Sequence, residues 1–196
     1  MQQPKTSRDQ PTVVAVCGCP GTGKTMVARA VAHRLGVPLL IRDEIKAGLG
    51  LSSASVGTKG IQFTEDFHIA GGPVSARAEA VMIDLATKLA GAGVSFVVES
   101  SVLSGQLLDG LRAADARVLA VHVVADEAVI AQRLSSRGTA VDAQLAELFR
   151  RGEMPASLFE PPAGVDAVVK IDTSEAGPPA VEEVEAAVLA LLAVRR

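Results

Sequence analysis

The chain has 196 residues, 48% of them hydrophobic, and its 19 basic and 22 acidic residues give a net charge of −3. That length suits one domain with a sizeable core and is too short for two. No apolar run reaches the roughly 18 residues of a membrane span. The chain also lacks Trp and Tyr, so it has neither the basic balance nor the aromatic platforms of a dedicated nucleic-acid binder.

Residues 1–11 are polar and have no apolar stretch behind them, unlike a signal or transit peptide. We therefore predict a flexible tail over 1–11, a single domain over 12–196 and a cytoplasmic protein. The two cysteines, Cys17 and Cys19, have no further Cys or His close by, so we expect no metal or disulfide framework.

The first predicted elements are a strand, a glycine-rich loop and a helix. Thr12–Cys17 is a short β-branched segment, and Gly18–Thr25 (GCPGTGKT) matches G-x-x-x-x-G-K-[ST] without substitution. Apolar residues at helical spacing continue to Leu35, and Gly36 is typical of a helix C-cap. This strand, motif and helix together are the context of a P-loop, not of an ordinary glycine-rich turn.

The P-loop predicts a site for a nucleoside triphosphate. Its glycines allow backbone N–H groups to approach the phosphates, and the following helix directs its positive dipole end at them. Lys24 is expected to reach the β- and γ-phosphates and the Thr25 hydroxyl to hold Mg²⁺. The predicted nucleotide-binding residues here are Gly18, Cys19, Pro20, Gly21, Thr22, Gly23, Lys24 and Thr25.

Charged residues follow the predicted second strand, Leu39–Ile41, where ligands of open α/β sheets bind. Asp43 is the candidate general base, which accepts the proton of an attacking hydroxyl. Its alternative role is the N-cap of the next helix. Lys46 lies one helical turn further and either pairs with a negative group on the acceptor or is an ordinary surface lysine.

Residues 47–72 are the least regular stretch, and we interpret them as the acceptor-binding region. Lys59 and His68 lie there, and a lone histidine is more often structural than catalytic. A helix is predicted over 73–90, with Pro73 in its first turn. Arg77 on that helix is a candidate substrate contact if it faces the cleft, although solvent is its simpler environment.

The third predicted strand, residues 94–98, ends in Glu99. A carboxylate after an apolar strand is the Walker-B arrangement, in which it holds a metal or orients a metal-bound water. We assign Glu99 to the metal site or the acceptor site without choosing between them. A short helix over 104–114 and a fourth strand over 118–124 are predicted to follow.

Two arginines lie on the next predicted helix, residues 127–136 and the turn after it. Arg133 and Arg137 are four residues apart, hence on one helical face. Residues 138–142 are predicted to open a lid, with Arg150 and Arg151 further on. Either the arginines merely stabilise a helix C-terminus, or they neutralise charge on the transferring phosphoryl group when the lid closes.

The last predicted elements are a fifth strand over 167–171, its carboxyl-end loop 172–174 and a helix over 181–194. Thr173 in that loop is expected to flank the nucleotide base. The alternation of strands and helices predicts an α/β fold, namely a five-stranded parallel sheet with helices on both faces and a short lid.

Three motifs resemble those of the P-loop kinases related to the 5′-kinase domain of phage polynucleotide kinase, a group with chloramphenicol phosphotransferase-like and zeta-toxin-like enzymes. They are Gly18–Thr25, Arg42–Lys46 (RDEIK) and Arg133–Thr139 (RLSSRGT). The resemblance implies that Asp43 is the general base and that Lys46 contacts the substrate. It also implies that Arg133 and Arg137 contact the phosphates. Lys46 departs from the polynucleotide kinase pattern, which has Arg there, and Arg offers a bidentate fork that Lys lacks.

These features favour a Mg²⁺-dependent kinase that transfers the γ-phosphate of ATP or GTP to a hydroxyl of a small molecule. The resemblance to chloramphenicol phosphotransferase-like enzymes implies an antibiotic or a nucleoside-like metabolite as the acceptor. The first alternative is a polynucleotide 5′-hydroxyl kinase, which the charge and the missing aromatic residues disfavour. A nucleoside monophosphate kinase would also place an Asp after the second strand. A nucleotide-driven switch is the alternative from another class, although no Asn-Lys-x-Asp guanine motif is present.

Overall fold

The computed structural model describes residues 10–54, 72–137 and 140–193. Within these ranges, no helix is both long enough and apolar enough to span a membrane. The strands are β1 (Thr12–Cys17), β2 (Leu39–Ile41), β3 (Phe96–Glu99), β4 (Arg117–Val124) and β5 (Ala167–Asp172). The helices are α1 (Lys24–Leu35), α2 (Arg42–Ala54), α3 (Pro73–Gly91), α4 (Gly105–Ala113), α5 (Glu127–Arg137), α6 (Ala140–Arg150) and α7 (Val181–Ala193), with a 3₁₀ turn at Ala156–Phe159.

The five strands form one parallel sheet in the order β2-β3-β1-β4-β5. β1 is central, with Val16 beside Glu99 of β3 and Val121 of β4. The carboxyl ends of all five strands therefore meet along one edge of the sheet, and the P-loop leaves from the middle of that edge. This arrangement confirms the predicted parallel α/β sheet.

Side chains of β1 alternate between two core layers, because successive residues of a strand point to opposite faces. Val13, Ala15 and Cys17 pack with α3 and α4, whereas Val14 and Val16 pack with α1 and α7. Helices therefore cover both faces of the sheet, as predicted. A smaller cluster joins Cys19, α5, α6 and the 3₁₀ turn beside the P-loop.

Several helix ends have the caps that their sequences predict. Gly36 takes a left-handed conformation (φ 65°), and its N–H donates to the Ala32 and His33 carbonyls, which ends α1. The Ser104 hydroxyl accepts a hydrogen bond from the Leu107 N–H and so begins α4. Pro73 is the first residue of α3, where its missing N–H costs nothing.

The prediction of an irregular stretch over 47–72 is wrong for residues 47–54, because α2 continues to Ala54. Glycines and serines lower helix propensity, but Ile45 packs against the core and Asp43 and Glu44 lie in the favourable first turn. Tertiary packing thus outweighs local preference in this helix. Lys59 and His68 lie outside the described residues.

Other boundaries move by one to three residues. β3 begins at Phe96 and includes Glu99, and β4 begins at Arg117. Residues 10 and 11, which we assigned to the tail, contact β4: the Arg117 N–H donates to the Pro11 carbonyl, and its guanidinium Nε donates to the Gln10 side chain. Residues 140–150 of the predicted lid region form α6, and residues 138 and 139 lie outside the described part.

Candidate active site

The P-loop leaves β1 in a compact turn. The Thr22 N–H and hydroxyl both donate to the Cys19 carbonyl, at 3.2 and 2.8 Å. The Cys19 side chain is buried among α5 residues. The side chain therefore packs into this cluster, and only the Cys19 backbone is left for the predicted contact with a nucleotide.

Two glycines of the motif have different surroundings. A Cβ on Gly18 (φ 143°) would lie 2.1 Å from the Val123 carbonyl oxygen, so a side chain cannot be placed there without moving β4. A Cβ on Gly23 (φ 83°) would have no neighbour closer than 3.8 Å. Gly18 is thus required for close packing of the loop on the sheet, whereas a Cβ at Gly23 would make only ordinary van der Waals contacts at the start of α1.

The start of α1 fits a phosphate chain. Gly23 is the N-cap residue and makes no side-chain cap, and Lys24 and Thr25 follow as the first helical residues. The first N–H groups of a helix have no intrahelical acceptors, and the helix dipole favours an anion there. Because Gly23 carries no side chain, this helix end can accommodate triphosphate oxygens.

Lys24 is buried, with 8% of its surface exposed, and its Nζ donates to the Cys19 carbonyl at 3.1 Å. Burial lowers the pKa of Lys24, and the negative charges of Glu99 and Asp43 partly oppose that shift. The lysine therefore lies among carboxylates at the end of the sheet, where an anionic ligand would restore its full preference for the charged form.

Thr25 and Glu99 meet at the end of β3. The Thr25 hydroxyl donates to Glu99 Oε2 at 3.2 Å. Burial raises the pKa of Glu99, with Lys24 and the Thr25 hydrogen bond opposing the shift and Asp43 adding to it. A cation beside this carboxylate would stabilise its ionised form.

The side-chain oxygens of Thr25, Glu99 and Asp43 are of the kind that Mg²⁺ prefers. In the described part of the chain, no three His, Cys, Asp or Glu side chains gather as a metal cluster. A cation would therefore depend on one or two protein oxygens together with phosphate oxygens and water. Mg²⁺ is commonly bound in this way in phosphoryl-transfer sites, so the residues present fit it.

Asp43 lies in the first turn of α2, and its side chain is 77% exposed, with one carboxylate oxygen 3.7 Å from an Arg42 nitrogen. The alternative N-cap role is wrong, because the helix already begins at Arg42. Burial lowers the pKa of Lys46, as does the positive charge of Arg42, while Asp43 opposes the shift. Asp43 and Lys46 therefore lie together at the carboxyl end of β2, on the side of the P-loop that also holds Glu99.

Arg133 and Thr173 approach the P-loop from its other side. The Arg133 guanidinium donates to the Thr173 carbonyl at 2.7 Å, to the Thr173 hydroxyl at 3.0 Å and to the Gly21 carbonyl at 3.4 Å. Thr173 is 5% exposed. Arg133 therefore lies beside the P-loop, and its contacts are to the P-loop itself and to the loop after β5.

The remaining predicted cations are more exposed. Arg137 has a half-exposed side chain 3.7 Å from Asp142, and its charge contributes to the lowered pKa of Lys24. Arg150 and Arg151 both pair with Glu147 on α6, and Arg77 is exposed on α3. Of these, Arg137 lies near enough to Lys24 to influence the site electrostatically.

Two features of the site had no assigned role in the sequence interpretation. Arg42 has a buried Nε with no hydrogen-bond partner among the described residues. In the sequence, its position next to Asp43 could have indicated that it belongs to the site. The Ser101 carbonyl accepts a hydrogen bond from the Gly18 N–H at 3.2 Å. A backbone contact between distant segments leaves no signal in side-chain patterns.

One known protein family matches the sequence. The AAA_33 family, described as an AAA domain, matches residues 13–158, which include the P-loop, Asp43, Glu99 and Arg133. A search of curated proteins found no significant match.

Three solved structures are similar over nearly the whole chain. One is a protein from Chloroflexus aurantiacus whose name describes it provisionally as a kinase. It is 23% identical to this chain, with a TM-score of 0.72, and the match covers 93% of this chain and 96% of that protein. A gluconokinase from Sinorhizobium meliloti is 22% identical (TM-score 0.52; 93% and 92% covered). The Mycobacterium tuberculosis APS kinase, solved with AMPPNP and APS, is 18% identical (TM-score 0.52; 94% and 99% covered).

These likenesses show the fold, which is that of P-loop kinases. The narrower resemblance to polynucleotide kinase and chloramphenicol phosphotransferase-like enzymes stays a prediction, because neither the family description nor these three structures name such an enzyme.

Proposed function

Because this chain belongs to the AAA_33 family of AAA domains, we propose that it is a Mg²⁺-dependent kinase that transfers the γ-phosphate of ATP to a hydroxyl of a small molecule. The observation that carries the proposal is that Lys24, Thr25, Glu99 and Asp43 all lie at the carboxyl ends of β1, β3 and β2, where Ile41, two residues before Asp43, pairs with Glu99. A phosphate site and an exposed carboxylate base lie side by side there, as phosphoryl transfer to a hydroxyl requires.

Asp43 takes the proton of the acceptor hydroxyl as the new O–P bond forms and the bond between the γ-phosphorus and its bridging oxygen breaks, which leaves ADP. Its 77% side-chain exposure gives an acceptor access to the carboxylate. Lys24 and the N–H groups at the start of α1 bind the phosphates, and Arg133 adds positive charge from the other side. Arg137 is the more exposed second arginine.

A bound Mg²⁺ would neutralise phosphate charge. Thr25 and Glu99 are the residues that would hold it, Thr25 by its hydroxyl and Glu99 directly or through water. Lys46 lies one helical turn from Asp43, whose negative charge acts on it, and in this proposal it contacts the acceptor. A small-molecule acceptor is supported by the names of two structural neighbours, a gluconokinase and an APS kinase, and by the acidic balance of the chain.

The test offers labelled ATP and Mg²⁺ with separate panels of sugars, sugar acids, nucleosides, hydroxylated antibiotics and a 5′-hydroxyl oligonucleotide. We expect label in a small-molecule panel, and mass spectrometry then identifies the acceptor. Label on the oligonucleotide would favour a polynucleotide kinase instead. Label found only in inorganic phosphate across all panels would favour a nucleotide switch and contradict the proposal.

The residue test compares two neighbouring acids. Asp43→Asn should lower transfer about 10²-fold or more, roughly 2.7 kcal/mol of transition-state stabilisation, while the Kd for ATP stays within about threefold. Glu44→Gln is the matched control, because Glu44 is an exposed acid whose contact is a surface ion pair with Arg29, and such pairs contribute little. Transfer by Asp43→Asn at the rate of Glu44→Gln would remove Asp43 from the mechanism.

A further inference from the structure

The Thr173 hydroxyl is buried where three segments meet. Its oxygen lies 2.7 Å from the Thr22 carbonyl of the P-loop, 3.2 Å from the Val124 carbonyl at the end of β4 and 3.0 Å from Arg133 Nη1. The Thr173 N–H also donates to the Val124 carbonyl, at 3.0 Å. The backbone contact holds the loop to β4, so the hydroxyl is available for the P-loop and the arginine.

A hydroxyl has one hydrogen and two acceptor sites. The shorter distance assigns its hydrogen to the Thr22 carbonyl, and its lone pairs then accept from the guanidinium of Arg133. This single group therefore joins the P-loop to the arginine. No apolar side chain of the same size can make either contact.

The guanidinium is held by Thr173 twice, through the hydroxyl and through the Thr173 carbonyl at 2.7 Å. Its Nη1 lies 3.9 Å from where a Cβ on Gly23 would be, as does the Thr173 hydroxyl. Both groups thus lie beside the glycine that precedes α1. An arginine fixed there has already lost the side-chain freedom that a free one would lose on binding phosphate.

We propose that Thr173 is a positioning residue whose hydroxyl ties the P-loop to Arg133 and fixes the guanidinium beside the phosphates of the bound nucleotide. The inference rests on the proposed function, because it requires that Gly18–Thr25 bind a nucleotide. It also changes the role that the sequence suggested for Thr173: the side chain acts through Thr22 and Arg133 and does not itself contact the base.

The test measures the Kd for Mg²⁺–ATP by titration calorimetry on the full chain. Thr173→Val keeps the size of the side chain and removes the hydroxyl, so we expect affinity to fall about tenfold, as for one hydrogen bond to a charged group. Thr173→Ser restores the hydroxyl and should bind within about twofold of the wild type.

Thr12→Val is the matched control. Thr12 is also 5% exposed, but its hydroxyl has no hydrogen-bond partner in the described part of the chain and lies at the opposite end of β1 from the P-loop. The same substitution there should leave the affinity unchanged. A loss of affinity at both positions would mean that the change from Thr to Val acts through general packing, which would overturn the inference.

A double-mutant cycle with Arg133→Gln separates positioning from a structural role. If Thr173 acts through Arg133, Thr173→Val should weaken binding less than about twofold further once Arg133 is replaced. An equal loss in both backgrounds, or wild-type affinity in Thr173→Val alone, would overturn the inference. Thermal unfolding monitors the fold, and Thr173→Cys, with its weak donor, takes the place of Thr173→Val if that variant does not fold.

Failure of the proposed function would give a different experimental result from failure of this inference. A folded wild-type chain that binds no Mg²⁺–ATP overturns the kinase proposal and this inference together. If the wild type binds ATP and the Thr173→Val variant binds it equally well, only the role of Thr173 is overturned.

Discussion

The two P-loop glycines with different surroundings predict two different consequences of adding one methyl group. At Gly18 the new Cβ would lie 2.1 Å from the Val123 carbonyl oxygen and 3.1 Å from its carbon. Both neighbours are backbone atoms of β4 and cannot rotate away. At Gly23 the nearest neighbour is the flexible end of Met26, at 3.8 Å, so the methyl group has room.

The magnitudes follow from strain and overlap. Gly18→Ala forces a side chain into a backbone region that is nearly reserved for glycine, at about 1–3 kcal/mol. It also adds an overlap comparable to overpacking a core, about 1–3 kcal/mol more. Gly23→Ala should cost about 1–2 kcal/mol, the penalty for a left-handed residue with a side chain. Gly36→Ala isolates that penalty, because Gly36 is left-handed (φ 65°) with nothing within 4 Å.

Urea unfolding followed by circular dichroism gives the free energy of unfolding of each variant, and calorimetry gives its affinity for Mg²⁺–ATP. Gly18→Ala should be destabilised by roughly 2–6 kcal/mol, a large part of the stability of a typical domain. Gly23→Ala and Gly36→Ala should lose similar stability, but only Gly23→Ala should lose affinity for ATP. Equal stabilities for Gly18→Ala and Gly36→Ala would refute the steric argument, and unchanged affinity in Gly23→Ala would refute its place at the phosphates.

Two further predictions use the ionisation of buried groups. Burial lowers the pKa of Lys24 from 10.5, and phosphate binds its protonated form, so the affinity for ATP should decline with rising pH from a point below 10.5; constant affinity up to that pH would contradict this. Burial raises the pKa of Cys17 to about 12 and that of Cys19 to about 11. Both thiols should therefore react with a disulfide reagent at pH 8 far more slowly in the folded protein than in urea. Rapid labelling of the folded protein would show that the thiols are accessible and would contradict this prediction.

The sequence predicted best those structural features that a short segment of the chain determines by itself. β1, the P-loop and α1 are adjacent in the chain, and Gly36 ends α1 by its own backbone conformation. The continuation of α2 to Ala54 was missed because its glycines and serines disfavour a helix locally, while Ile45 is held by packing against the core. The strand order was also not predicted, since alternation of strands and helices is the same for many orders.

Contacts between distant residues required the structure. Thr25 and Glu99 are 74 residues apart, and the sequence indicated Glu99 as a site residue only because a strand-end carboxylate beside a P-loop is a known pattern; it did not predict their contact. Arg133 and Thr173, 40 residues apart, belong to no such pattern. The sequence therefore identified both as nucleotide-site residues but gave no reason to connect them.

The strand order divides the site into two halves around the central β1. Asp43 and Glu99 come from β2 and β3 on one side of the P-loop, and Arg133 and Thr173 come from the β4 and β5 side. In the proposed kinase the β4 and β5 side serves the nucleotide, whereas on the other side Glu99 serves the metal and Asp43 and Lys46 serve the acceptor. Changes on the β4 and β5 side should then alter the affinity for ATP with every acceptor. A change at Lys46 should instead alter which acceptor is used, whereas a change at Asp43 should lower transfer to every acceptor.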